Sequence, residues 1–457
     1  MRKGDKNIFE RLEEDFPEML RRLGEFIAIP SVSDDKMQVD RALDYMLDLG
    51  KALEFQVRSC CDHQVGVIEM GEGEETLGIL GHVDVVPAGN VSAWKTEPFK
   101  MDIRRGRAYG RGTLDDKGPV MLSLYAMKAL KESGIPLNKR IQLILGTQEE
   151  LEWTDMKRFT EEEKLPDYGF TPDGEYPLCN IEKGIIDMEL CFPLKPGDLK
   201  PETGIKKITG IKGGTMENTV PDRVRLEIRW VDQEGELKSE ELEILGKAVH
   251  SSLPENGINP IYHIPDHESS RECRGRIAEI AGFLSESFGD HWGRGVGLET
   301  RDEYFQGEYV DRNTFAVTMI RIEEEILKAH LNVRFAYGTD SQELIGKLTA
   351  LLIRFGGYLE VTEELPAVYV ARNRPFIKKL IEAYEEGSGM KHEDTVAYGG
   401  SYAKAMPNVV SFGPLFPGEE DTCHQDNEYF DLESMKKNQV IILLSMAKIA
   451  TCEEGLK

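Results

Sequence analysis

A chain of 457 residues exceeds what one hydrophobic core usually organises, so two domains, or three, are expected. Hydrophobic residues at 40% and charged residues at 30% sit near the averages of folded globular proteins and exclude a disordered or fibrous chain. A net charge of -26, with no Lys/Arg-rich run to offset it, argues against nucleic acid as a partner and against an anionic membrane surface. The seven cysteines are an odd count and form no C-x-x-C pair, so they read as free thiols. With no apolar leader and no apolar run long enough to cross a bilayer, the expectation is a cytoplasmic protein that does not contact a membrane.

In chain order, Asp15-Phe16-Pro17 reads as the cap of a helix whose apolar face is Met19, Leu20, Leu23, Phe26 and Ile27, stopped by Ile29-Pro30. A second helical pattern runs through Leu43, Met46 and Leu47. Thr76 to Leu80, Ile141 to Leu145, Tyr168 to Phe170 and Val409 to Phe412 read as buried strands, and Pro119 to Lys131 as a helix ended by Gly134. This alternation predicts an α/β domain with a mostly parallel sheet flanked by helices, in which ligands bind beyond the carboxyl ends of the strands.

From Ile185 to Glu364 the texture changes to β-like alternation such as Val224 to Val231, with helical patterns at Ile277 to Phe288 and Ser341 to Phe355. The strand and helix alternation returns after Pro366. The reading is a discontinuous α/β domain, residues 1–184 and 365–457, interrupted by an inserted α+β domain, residues 185–364.

Polar clusters follow the predicted strands. His82 and Asp84 are one residue apart after Thr76 to Leu80, so on an extended segment both point the same way and the carboxylate can orient the imidazole. Glu149-Glu150 follows Ile141 to Leu145, where adjacent carboxylates can divide the work of base and ligand. Asp173 follows the short Tyr168 to Phe170 run in a Pro-Asp-Gly turn. Asp115 and Asp116 lie within the glycine-bearing segment Tyr109 to Pro119 and precede a predicted helix, and His424 lies in Thr422-Cys423-His424-Gln425-Asp426-Asn427-Glu428. Carboxylates and imidazoles of this kind suit zinc, manganese or cobalt, and a dinuclear hydrolytic site needs a shared carboxylate, ligands for each ion and a base.

Taken together, this ordered set resembles the clan MH dinuclear metallopeptidases, a group that includes aminoacylases, acetylornithine deacetylase, carboxypeptidase G and the PepV-type and carnosinase-type dipeptidases. The resemblance spans nearly the whole chain and implies that residues 1–184 and 365–457 form the catalytic domain and residues 185–364 the lid domain. It implies that His82 and Asp173 bind one divalent ion, Glu150 and His424 the other, and Asp115 bridges them, with zinc first and manganese or cobalt as alternatives. It further implies Glu149 as the catalytic base, Asp84 as the residue that orients His82, and a cis peptide between Asp115 and Asp116. Gly246 to Ser252 resembles the lid segment whose histidine, here His250, stabilises the oxyanion. Gly213 to Asp222 and Leu331 to Arg334 resemble segments from which Asn218 and Arg334 grip the substrate carboxylate, and Gly399-Gly400-Ser401 resembles the loop whose amides receive it. Leu151-Glu152-Trp153 departs from the smaller polar residue expected after the glutamate pair and bears on the shape of the substrate site.

The resemblance is closest to the PepV-type members and implies a dipeptidase acting on small peptides with a free carboxylate. The alternative is an N-acyl-amino-acid amidohydrolase of the deacetylase or desuccinylase type. A catalytically silent metal-binding protein is a third reading, against which the presence of both Glu149 and His250 speaks. A long lid can serve its own chain, so a monomer is expected, with a homodimer as the alternative.

Overall fold

The structure is a computed structural model that describes residues 5–300 and 302–457. The described residues form two compact units, one built from those up to Ile181 together with those from Val368 onward, the other from those between Glu182 and Ala367.

The first unit is a mixed six-stranded sheet covered by helices. Its strand order is Gln56–Cys60, Val65–Met70, Arg140–Gly146, Thr76–His82, Tyr168–Thr171, Val409–Ser411. Arg140–Gly146, Thr76–His82, Tyr168–Thr171 and Val409–Ser411 run parallel. The hairpin Gln56–Cys60 and Val65–Met70 adds an antiparallel edge. The parallel strands are near-continuous apolar runs because both faces are covered, as Thr76–His82, buried at every position, illustrates. Lys117–Glu132 and Leu432–Ala450 pack on each other and on the sheet, and Asp5–Ile27 and Pro375–Ser388 pack against that pair.

The first helix runs Asp5–Ile27 and does not start at an Asp15 cap; Pro17 lies inside it. The reason is visible in the burial pattern. Ile8, Leu12, Phe16, Met19, Leu23, Phe26 and Ile27 are all buried, so one apolar stripe continues through the proline, and its packing outweighs the lost backbone hydrogen bond. The helix stops where expected, ahead of Ile29-Pro30.

The second unit is a seven-stranded antiparallel sheet in the order Leu237–Leu245, Arg223–Val231, Lys207–Gly213, Thr314–Glu323, Ile326–Phe335, Gly184–Pro193, Tyr358–Leu365. Helices Arg276–Phe288 and Ser341–Arg354 bury Ile277, Ile280, Leu284, Leu344, Leu348 and Leu352 in a core shared with Ile186, Met188, Leu331 and Val333 of the sheet. The alternate positions Asp187, His330, Asn332 and Arg334 belong to the other face of the same strands and are buried too. Among the described residues, no helix is long and apolar enough to cross a membrane.

Candidate metal centre

Strand order explains why the polar clusters converge. Thr76–His82 lies between Arg140–Gly146 and Tyr168–Thr171 and runs parallel to both, so three carboxyl ends stand side by side. His82 is the last residue of the central strand, Glu149 and Glu150 follow one neighbour, and Asp173 follows the other. Asp115 arrives from the loop before helix Lys117–Glu132, and His424 from the loop before strand Tyr429–Asp431. The Asp115-Asp116 peptide is cis.

The Asp115 carboxylate stands between the two imidazoles. Its Oδ1 is 2.9 Å from His82 Nε2 and its Oδ2 is 2.9 Å from His424 Nε2. His424 Nε2 is also 3.0 Å from Glu150 Oε2, and His82 Nε2 is 3.7 Å from Asp173 Oδ2. Among the described residues, two groups of donor atoms are close enough to hold an ion: His82 with Glu149 and Asp173, and His82 with Asp115 and Glu150.

Electrostatically the cluster is short of positive charge. Burial, together with the negative Asp115 nearby, pushes the Asp173 carboxyl up to about 8. Burial and the charges of Asp173, Glu150 and Asp115 hold Glu149 well above the ordinary carboxylate range, and burial and Asp115 raise Glu150. Burial opposes charging of His82 and His424, but hydrogen bonds to carboxylates win: His424 rises to about 11 and His82 well above its usual value. The same bonds hold Asp115 below its usual range against burial. Among the described residues, buried Oε1 of Glu150 has no hydrogen-bond partner. An oxygen-rich, imidazole-bearing pocket with an orphaned buried carboxylate oxygen and surplus negative charge fits divalent cations.

The residues around these donors are fixed by hydrogen bonds. His82 Nδ1 is 3.0 Å from the Asp84 carbonyl oxygen and 3.3 Å from its Oδ1, so the Asp84 backbone and side chain both face the ring. The fully buried Asp84 carboxylate also accepts from Ser33 Oγ at 2.8 Å and from the amides of Glu149 and Glu150 at 3.3 Å each. It therefore places the glutamate pair as well as the imidazole.

Sequence reasoning missed a second support. Buried Asp155 accepts from Thr147 N at 2.6 Å, Gln148 N at 3.0 Å and Tyr402 Oη at 2.6 Å, joining the turn before Glu149 to the segment after Gly399-Gly400-Ser401. Trp153 is 7% exposed, donates from Nε1 to the Glu149 carbonyl at 2.6 Å and meets Tyr402 edge-on at 5.7 Å. It braces the glutamate turn. The only sequence signal was an aromatic residue in an unexpected place.

Gly399 and Gly400 are exposed, and Ser401 caps the turn Tyr402–Lys404 by accepting from Ala403 N at 3.3 Å. In the second unit, Thr219 pairs with His250 and the Ser251 amide donates to the Asn218 carbonyl at 2.9 Å, which makes Asn218 and His250 neighbours. His250 Nδ1 is 2.6 Å from Ser252 Oγ. Arg334 is buried on strand Ile326–Phe335 and donates from Nε to Asn332 Oδ1 at 3.1 Å; burial lowers its pKa. Asn332 in turn donates to Asp187 at 2.6 Å.

A parallel-centred sheet with carboxylates and imidazoles gathered beyond its strand ends fits a metal-dependent hydrolase. The family follows from comparison: the model of Peptidase family M20/M25/M40 matches residues 78–447, and the chain belongs to that family, whose members depend on two metal ions. It is 31% identical over 465 residues to the Bacillus subtilis protein named "Putative dipeptidase YtjP", spanning 95% of this chain and 97% of that one. It is 32% identical over 453 residues to a Staphylococcus epidermidis protein named "Putative dipeptidase", spanning 92% and 94%. The fold is similar to the di-peptidase Dug1p of Saccharomyces cerevisiae, with a TM-score of 0.63 at 14% identity over 99% of this chain and 100% of that one. Human carnosine dipeptidase 1 gives 0.61 at 15% identity over 98% and 99%. The chain is a metallopeptidase, a hydrolase of peptide bonds.

Proposed function

We propose that the protein is a dipeptidase that cleaves dipeptides with a free C-terminal carboxylate, using two zinc ions, with manganese or cobalt able to replace them. The observation that carries the proposal is the Asp115 carboxylate, which presents one oxygen to His82 and the other to His424. His82 and Asp173 would hold one ion, Glu150 and His424 the other, and Asp115 would be shared. When bound, the ions lower the pKa of water and polarise the scissile carbonyl.

The protein's own groups do the rest. Glu149 takes a proton from the attacking water and returns it to the leaving amine; the raised affinity of its buried carboxyl for a proton is the direction a base working near neutrality requires. Asp84 keeps the His82 ring and the Glu149 turn in register. His250, in the lid role, offers an N–H to the developing oxyanion. Arg334 and Asn218 engage the substrate carboxylate, the guanidinium through paired hydrogen bonds, with the amides of Gly399, Gly400 and Ser401 as a further anion site. The names of the relatives support small peptides as substrates. The free thiols of all seven cysteines support a cytoplasmic location, and the length of the Glu182–Ala367 unit supports a monomer.

The test is a hydrolysis panel on metal-stripped protein re-supplied with zinc or manganese: dipeptides, their C-amidated forms, tripeptides, and N-acetyl and N-succinyl amino acids. Metal-dependent cleavage restricted to free dipeptides is the expected result. Preference for the acylated compounds would replace the dipeptidase reading with an amidohydrolase.

A further inference from the structure

The loop that carries His424 ends on Glu428, a carboxylate with no part in the proposed reaction. It is fully buried, and all its side-chain partners among the described residues are donors. Gly112 N lies 3.0 Å from each of its oxygens, Leu114 N is 2.8 Å and Asp115 N 3.2 Å from Oε1, and Arg111 Nη1 is 2.7 Å from Oε2. Its main chain is tied to the same segment: Gly110 N donates to the Glu428 carbonyl at 3.0 Å, and the next residues, Tyr429–Asp431, pair with Arg107–Tyr109.

Burying a carboxylate costs several kcal/mol unless it is paired and fully hydrogen-bonded, so a group with this set of donors has a geometric purpose to weigh against packing an apolar residue there. The amides of Gly112, Leu114 and Asp115 need acceptors once they leave water, and Glu428 gathers these three around one anion. The adjacent Arg111, also buried, neutralises that anion. Glu428 therefore adds no net charge to the donor cluster and acts through position. It lies four residues after His424 and bonds directly to the amide of Asp115, the two residues whose side chains meet at 2.9 Å.

Resting on the proposed dinuclear centre, we infer that Glu428 is a positioning residue: it locks the Asp115 loop to the His424 loop and so holds the shared carboxylate in place for both ions. In Glu428→Gln an amide NH2 replaces one acceptor and faces a backbone N–H or Arg111, so the Asp115 loop shifts while the side-chain volume is kept.

The experiment is zinc affinity measured by chelator competition on metal-stripped wild type and Glu428→Gln, with metal-free thermal melts and steady-state kinetics on a dipeptide. The expected result is a cooperative metal-free melt, a zinc affinity lower by about 10- to 100-fold and a fall in kcat with unchanged KM. A residue that only supports the fold would lower the melting temperature and leave the affinity of the folded protein alone; wild-type zinc affinity in folded Glu428→Gln overturns the inference. If Glu428→Gln does not fold, Glu428→Asp decides, since it keeps the charge but is one methylene short: a smaller loss of zinc affinity supports the role, and wild-type affinity overturns it. A wild-type protein that binds no zinc would instead overturn the dinuclear centre itself.

Discussion

Replacing Glu149 with glutamine separates the two roles open to this side chain. Its main chain is fixed without help from the side chain: the amide donates to Asp84 Oδ1 at 3.3 Å and the carbonyl accepts from Trp153 Nε1 at 2.6 Å. Glutamine has nearly the same volume, so His82, Asp173 and Glu150 should keep their places, and what is lost is a proton acceptor. A positioned general base is worth about 10²- to 10⁴-fold, or roughly 3 to 5 kcal/mol of barrier, so kcat on a dipeptide should fall by that factor with KM little changed. The metal-free melting temperature should hold or rise, because the substitution removes a carboxyl that competes for charge with Asp173, Glu150 and Asp115. Zinc content and affinity discriminate further, since Glu149 is one of the donors grouped with His82 and Asp173. Wild-type turnover would remove Glu149 from the mechanism, and loss of turnover together with loss of one zinc would make it a ligand.

Asp84→Asn should weaken zinc binding by about 10- to 100-fold in a chelator competition, because the amide cannot accept from Ser33, the His82 ring and the glutamate turn together; unchanged affinity would assign the orientation of His82 to the Asp84 carbonyl alone. Tyr402→Phe should lower stability by about 1 to 2 kcal/mol in a denaturant melt, since Asp155 keeps its backbone donors Thr147, Gln148 and Met156 but loses the phenol; no change would show that the Tyr402 to Asp155 bond carries no stability. Arg334→Ala should abolish discrimination between a dipeptide and its C-amidated form, read as the ratio of kcat/KM values, and an unchanged ratio would put the carboxylate site elsewhere. In the metal-free protein, Asp173 is raised from 3.8 to about 8 by burial and Asp115, while His424, against burial, is raised from 6.5 to about 11 by Asp115 and Glu150. The folded state therefore keeps protons that the unfolded chain releases, and stability is lost as pH rises through both windows. Melting temperature without zinc should fall from about pH 5 to about pH 9, and a rise over that range would refute this charge assignment.

The core of the first unit was legible because its strands are short, apolar and followed by polar clusters. Thr76 to Leu80 and Ile141 to Leu145 were readable as strands from composition alone, and once they are neighbours, His82 and Glu149-Glu150 must share an end of the sheet. The hairpin Gln56–Cys60 and Val65–Met70 was not read, because its outer strand is largely exposed and polar and carries no apolar alternation. Pro17 hid the true start of the first helix, since a local signal was outweighed by burial of Ile8 and Leu12. The supporting residues were the least legible. Asp155, Tyr402 and Glu428 act through partners far away in sequence, and a buried carboxylate looks like any other acid in a chain with 82 of them.

The most direct test of the central claim is a zinc titration of metal-stripped protein followed by dipeptide hydrolysis. Activity should be absent without metal and reach its plateau at two zinc ions per chain. Activity that persists in the stripped protein, or a plateau at one ion, would contradict the claim.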